Sequence, residues 1–185
     1  MNRVTGLSAL RIALVAPIMA LVLAGPRTEH AYAGAAALFA VAALTDFLDG
    51  YLARRWRVTT ALGSFLDTTA DKVLVAGSLI ALVSVGRASP WLAGLIVCRE
   101  LAVLALRGVV AAGGTVMAPS FWGKLKANVQ FAAVLLAMVR VDSRWAGRHP
   151  DEWLLAAAAV LAVVSGAQYF ARFPSAAPAP SGRST

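Results

Sequence analysis

Apolar stretches without one charged side chain recur along this 185-residue chain, at 12–26, 31–45, 73–86, 88–98, 108–123, 127–139 and 153–171. A chain so built has few ways to shelter its backbone and side chains. The chief one is to cross a bilayer as helices of about 20 residues, in which every peptide group is hydrogen-bonded within its own segment. Only 153–171 approaches that length uninterrupted, and the other stretches become spans by absorbing charges near their ends. The pattern therefore predicts six helices, over roughly 8–25, 31–54, 63–86, 90–111, 122–141 and 153–172. Gly25-Pro26, Gly86 with Pro90, Gly113-Gly114 with Pro119, and Gly147 with Pro150 punctuate the connections. Hydrophobic residues make up 59% of the chain and charged ones 14%, well away from an ordinary soluble domain and incompatible with general disorder. The expected fold class is all-α, a polytopic membrane protein of six transmembrane helices. A single domain over 1–173 and a disordered Pro-, Ala- and Ser-rich tail over 174–185 complete the organisation. Arg3 and Arg11 followed by an apolar stretch and Ala31-Tyr32-Ala33 imitate a cleavable signal peptide, but the cleavage motif lies too far from the basic residues.

The formal net charge is +8, from 17 Lys and Arg against nine Asp and Glu. Nucleic-acid binding is an unsuitable explanation, because a domain of that kind is not this apolar. A lone Cys98 excludes an internal disulfide framework and a thiolate metal cage, and His30 and His149 are too far apart in sequence for a His-rich metal site. Cys98 is expected to be a small core residue, and Trp56, Trp145 and Trp153 interfacial anchors. Topology accounts for much of the basic excess. Arg3, Arg11, Arg54, Arg55, Arg57, Arg107, Lys124, Lys126, Arg172 and Arg183 fall on one side of the predicted spans, whereas Arg27, Arg87, Arg140, Arg144 and Arg148 fall on the other. By the positive-inside rule both termini are cytoplasmic.

Four of the nine acids fall at Asp46, Asp49, Asp67 and Asp71. On a helix Asp46, Asp49, Gly50 and Ala53 share one face, as do Gly63, Asp67 and Asp71 on the next. With Arg54-Arg55-Trp56-Arg57 as a polar turn, the two helices are expected to be antiparallel neighbours whose carboxylates converge at the cytoplasmic edge. One Asp within a span costs roughly 2.5–3.5 kcal/mol on insertion scales, so four mutually repelling ones require compensation. Oxygen-only donors favour Mg²⁺, Mn²⁺ or Ca²⁺, and two such ions would balance four carboxylates and still attract a phosphate. Spacing alone leaves open a cation or proton pathway, and also simple pairing with Arg54, Arg55 and Lys72.

The run Asp46-Phe-Leu-Asp49-Gly50-Tyr-Leu-Ala53-Arg54, then eight residues, then Gly63-Ser-Phe-Leu-Asp67-Thr-Thr-Ala-Asp71 resembles the complete signature of the CDP-alcohol phosphotransferases. That resemblance implies a six-helix membrane enzyme, usually a homodimer, in which an alcohol hydroxyl displaces CMP from a CDP-linked donor with two divalent cations (Mg²⁺ or Mn²⁺). It implies that Asp46, Asp49, Asp67 and Asp71 hold the metals and that Asp71 is also the general base. It further implies that Asp49, Gly50, Ala53, Arg54, Gly63 and Asp67 bind the CDP donor, with Arg54 on its phosphate.

Beyond the signature, Arg99 and Arg107 lie eight apart on one face of the fourth helix, with Glu100 beside them, and Lys124 and Lys126 open the fifth. These groups suit either an Arg–Glu clamp and lipid contacts or a pocket for an anionic acceptor. The pattern Cys98-Arg99-Glu100-Leu101, Leu106-Arg107 and Gly123-Lys124-Leu125-Lys126 with Gln130 resembles the phosphatidylglycerophosphate synthases within that family. It implies CDP-diacylglycerol and glycerol 3-phosphate as substrates, and Arg99, Arg107, Lys124 and Lys126 as the grip on the acceptor's phosphate. The location implied is a bacterial cell membrane, with the active site cytoplasmic. Relatives that use phosphatidylglycerol or an inositol phosphate, and a cation-coupled transporter, are the competing readings. Two departures from the subfamily pattern are Ala127 after the second lysine and Ser8-Ala-Leu-Arg11 before Pro17, where Ser8 is expected to cap the first helix.

Overall fold

The computed structural model describes residues 3–56, 61–112 and 121–172, and within them the side chains outside 3–5, 7, 46–56, 61–66 and 112. Six helices and no strand are present among the described residues: α1 (Arg3–Ala24), α2 (Ala31–Trp56), α3 (Ala61–Ser84), α4 (Pro90–Ala112), α5 (Phe121–Val139) and α6 (Pro150–Arg172). Their bounds match the six stretches read from the sequence to within a few residues at each end. By length and composition, α6 is the one helix among the described residues apolar enough to cross a membrane unaided; Ser8–Ala24 and Ala31–Thr45 are apolar but shorter. Charges interrupt α3, α4 and α5, at Lys72, Arg99, Glu100, Arg107, Lys124 and Lys126. The expected tail, 174–185, lies outside the described residues.

Local chemistry explains the boundaries. Gly86 ends α3 with φ 69°, its N–H donating to Val83 O while Arg87 N–H donates to Leu82 O, which satisfies carbonyls left over at the helix end. Proline opens both α4 and α6, where its missing N–H costs nothing, and Asp151 and Glu152 complement the first turn of α6. Ser8 is not a cap. It lies inside α1, which begins before it, and is buried.

Helix α1 packs most extensively on α3 and then on α2, while α6 packs on α5 and α4. Contacts of α5 with α2 and α3, and of α3 with α4, join the two groups. The expected pairing of α2 with α3 falls on turns whose side chains lie outside the described residues; among the described contacts, α1 is laid against both helices. The approach of α1 to α3 depends on Gly77, where a Cβ would stand 2.5 Å from Val15 Cγ1 and 3.2 Å from Met19 Sδ. Ile18, Phe39, Leu74, Leu79, Leu82, Ile96, Met138 and Leu155 fill the common core, with the Phe39 and Phe131 rings 5.6 Å apart. On α6 the buried stripe is Leu155, Ala158, Ala159, Ala162, Ser165 and Gly166, whose small side chains admit neighbouring helices closely.

Large apolar residues also face outward on every helix, including Leu23, Val41, Leu44, Ile80, Leu95, Leu101, Phe121, Val160 and Val163. Cys98 is exposed on α4 rather than buried in the core, because the inward face at that level is taken by Ile96 and Glu100. At the end of the bundle opposite Lys124, Arg87 donates to the α5 carbonyls of Ala137 and Met138 and lies 3.4 Å over the Tyr32 ring, and Arg140 pairs with buried Asp151 at 3.0 Å. Trp145 and Trp153 are exposed there and joined by a bond from Trp153 Nε1 to Trp145 O.

If the α1–α3 approach is as close as Gly77 allows, Gly77→Ala should lower the thermal midpoint in detergent, by the equivalent of about 1–3 kcal/mol. Gly94→Ala, with open space at the Cβ position, should not lower it. Equal midpoints for the two variants would refute the tight crossing.

Candidate active site

Two groups of charges lie inside the bundle, side by side on α3. The first is built on the expected spacing of Asp67 and Asp71, four residues apart and so on one face. Both reach the same atom. Arg11 Nη1, from α1, donates to Asp67 Oδ1 at 3.1 Å and to Asp71 Oδ1 at 2.9 Å. The arginine is 2% exposed, whereas the two carboxylates are about one-third open. The two oxygens are therefore drawn together at the edge of a cavity by a guanidinium behind them. Arg11 reads from the sequence as a topology charge; its place within the first predicted span, where a cation needs a partner, is the signal for a site role.

The other carboxylates of the signature, Asp46 and Asp49, lie with Gly50, Ala53 and Arg54 on the final turns of α2, and Gly63 on the first turn of α3. The side-chain placement of these six residues, and of Trp56, is outside the described residues. No group of three His, Cys, Asp or Glu side chains gathers among the described residues. The donor set nevertheless suits a hard cation, since Asp67 and Asp71 offer converging oxygens and the signature would add only further oxygens.

The second group is centred on Glu100 of α4, which is buried. Its Oε2 accepts from Lys72 Nζ at 3.0 Å, and its Oε1 from Arg99 Nη1 at 3.0 Å and from Lys126 Nζ. Three cations on one carboxylate leave local positive charge, and a buried carboxylate with fewer partners would be costly. Arg99 is committed further, its Nε donating to Ala162 O at 3.0 Å and its Nη2 to Ser165 Oγ at 2.7 Å. Gly166 makes this possible, since a Cβ there would press on Arg99 Cγ at 3.3 Å. The small-residue stripe of α6 thus receives a guanidinium as well as a helix. The sequence offers Lys72 as a partner for the signature aspartates; in the structure it donates to Glu100.

Between the two groups lies a cavity of about 230 Å³. Helix α3 contributes Thr68, Asp71 and Lys72, α4 contributes Arg99, Glu100 and Arg107, and α5 contributes Lys124, Lys126 and Gln130. Five cationic side chains face it against two carboxylates. All four residues expected to grip an acceptor phosphate are brought together here with Asp71, but they are not equivalent. Arg99 and Lys126 are held by Glu100, whereas Arg107 and Lys124 have no acidic partner among the described residues.

Carboxylates at a helix edge beside a cation-lined cavity define a site for anionic, phosphate-bearing molecules. The sequence matches the family described as CDP-alcohol phosphatidyltransferase over residues 1–164. The chain belongs to that family and is an enzyme of its class. A protein named CDP-diacylglycerol–glycerol-3-phosphate 3-phosphatidyltransferase from Bacillus subtilis (strain 168) is 38% identical over 143 residues, covering 77% of this chain and 74% of the relative. The protein of the same name from Escherichia coli (strain K12) is 38% identical over 180 residues, covering 91% and 92%. A probable phosphatidylglycerophosphate synthase from Mycobacterium tuberculosis (strain ATCC 25618 / H37Rv) is 37% identical over 168 residues, covering 90% and 78%.

The clasp at Glu100 yields a direct test. Glu100→Gln would leave Lys72, Arg99 and Lys126 crowded around a neutral amide, and loss of one partner from a buried ionic group costs about 3–5 kcal/mol. The variant should unfold at a clearly lower temperature, and adding Lys126→Met should recover part of the loss. An unchanged midpoint for Glu100→Gln would refute a structural role for the cluster.

Proposed function

We propose that this protein transfers the phosphatidyl group of CDP-diacylglycerol to a hydroxyl of glycerol 3-phosphate, releasing CMP, as a step of phospholipid synthesis. The carrying observation is the cavity itself, which Asp71 lines together with Arg107 and Lys124, two cations without an acidic partner among the described residues. The names of the relatives support the same chemistry.

In this reading the acceptor's phosphate enters between Arg107 and Lys124, whose charges meet a dianion. Its hydroxyl is turned toward Asp71, which takes the proton as the oxygen attacks the phosphatidyl phosphorus. The new P–O bond forms as the bond to CMP breaks, so one phosphodiester replaces the diphosphate linkage. Arg11 holds Asp67 and Asp71 at a common position, and Glu100 holds Lys126, Arg99 and Lys72 along the cavity wall. Asp46, Asp49, Asp67 and Asp71 would hold two Mg²⁺ (or Mn²⁺), which supply positive charge to the donor's diphosphate when bound. Asp49, Gly50, Ala53, Arg54, Gly63 and Asp67 would receive the CDP moiety.

The outward apolar side chains on all six helices suit lipid contact. The proposal therefore includes six membrane spans in a bacterial cell membrane, with both termini and the active site on the cytoplasmic side, where Arg107, Lys124 and Arg172 agree with the positive-inside rule. A homodimer, as the sequence resemblance implies, belongs to the same reading.

Purified protein with CDP-diacylglycerol, glycerol 3-phosphate and Mg²⁺ should release CMP only when the acceptor is present, and EDTA should abolish the release. Phosphatidylglycerol, inositol phosphate or serine in place of glycerol 3-phosphate should give little; preference for any of them would overturn the acceptor assignment. Asp71→Asn should lower kcat by about 10²–10⁴-fold, and near-normal turnover would remove it as the base. Arg107→Ala should raise the acceptor KM about 10- to 100-fold with the donor KM little changed; equal effects on both substrates would count against a phosphate contact.

A further inference from the structure

Gln130 lies on α5 one turn beyond Lys126 and is 3% exposed. Its amide oxygen accepts no hydrogen bond from any described residue. Buried polar atoms are nearly always paired, so an orphaned carboxamide oxygen at a cavity wall marks a place for a donor that arrives from outside. The neighbouring cations are not that donor. Lys72, Arg99 and Lys126 are all turned onto Glu100.

Gln130 lines two spaces. One is a small, mainly apolar cavity of about 90 Å³ between α3 and α4, walled by Val73, Ile96 and Leu104 together with Thr69, Lys72 and Glu100, and with less room for a ligand. The other is the cationic cavity that holds Asp71, Arg107 and Lys124. Along α5, Gln130 stands six residues past Lys124, a rise of about 9 Å. Gln130, Asp71, Arg107 and Lys124 all line this cavity, so a small phosphate held at Arg107 and Lys124 shares its space with Gln130 and Asp71.

We propose that Gln130 reads the acceptor's second hydroxyl, accepting its hydrogen bond through Oε1, so that the site selects a vicinal-diol phosphate over a simple hydroxyalkyl phosphate. This rests on the acceptor assignment made above. Glycerol 3-phosphate has two hydroxyls. The primary one is the less hindered nucleophile and faces Asp71, and the secondary one takes no part in bond making. A hydroxyl both donates and accepts, so it can answer either end of a carboxamide, and a site built to hydrogen-bond a substrate hydroxyl discriminates strongly against the analogue without it. Gln130 is thus a specificity residue, and Asp71 retains the proton transfer.

The experiment compares glycerol 3-phosphate with 3-hydroxypropyl phosphate, which keeps the phosphate and the primary hydroxyl but lacks the secondary one. Wild-type enzyme should prefer glycerol 3-phosphate in kcat/KM by about 10- to 100-fold. In Gln130→Met, of nearly the same shape, that preference should fall to about threefold or less, through loss with glycerol 3-phosphate and little change with the analogue. Gln130→Glu, which retains an acceptor oxygen, should keep the preference and guards against a Met variant that fails to fold; the donor KM and thermal midpoint report on folding in each. Equal use of both acceptors by wild type would overturn the proposal while leaving the proposed function intact. So would a Gln130→Met enzyme slowed equally with both. No CMP release by wild type with either acceptor would instead overturn the proposed function, and this inference with it.

Discussion

The carboxylate of Glu100 is the group on which the interior of this bundle depends. One acidic side chain gathers Lys72 from α3, Arg99 from its own helix and Lys126 from α5, and through Arg99 it is tied to the backbone of α6. Cations placed this far inside an apolar bundle would repel one another and seek water. Collected around one anion, they become a fixed wall of the cavity. Because they outnumber it, the wall stays electropositive toward whatever occupies the space beside it.

Arg11 performs the converse task for Asp67 and Asp71. Two carboxylates on one helical face repel, and a single buried guanidinium behind them relieves the repulsion while leaving their outer surfaces partly open. The two arrangements meet on adjacent residues, Asp71 and Lys72, so that α3 carries the boundary between a negative edge and a positive wall. A phosphate-bearing acceptor whose hydroxyl must give up a proton is suited to that boundary, since one end requires cations and the other a proton acceptor.

Much of this was legible in the sequence. Apolar runs and Gly-Pro punctuation marked six helices close to their observed bounds, and helical spacing placed Asp67 with Asp71 and Arg99 with Arg107 on shared faces. The opposite roles of chemically similar residues were not legible. Arg99 and Arg107 are both arginines on one face of α4, yet Arg99 is consumed by Glu100, Ala162 and Ser165 while Arg107 is left for the cavity. Lys124 and Lys126 divide in the same way. Cys98 was assigned to the core because it is small and apolar in character, but its rotation about α4 turns it outward. Ser8 opens the span expected over 8–25 and so suits a cap, whereas α1 begins earlier and buries it.

The sequence by itself determined the helices, the acidic signature and the surplus of basic residues, because each follows from spacing within a few turns of one chain. Which charge answers which was decided only by the tertiary structure. Arg11 and Asp71 are 60 residues apart, Glu100 and Lys126 are 26 apart, and Arg99 and Ser165 are 66 apart. Partners at such separations are chosen by how helices rotate and how closely they approach. Those in turn depend on Gly77 against Val15 and Gly166 against Arg99, and the same packing leaves the Gln130 amide oxygen without a partner among the described residues.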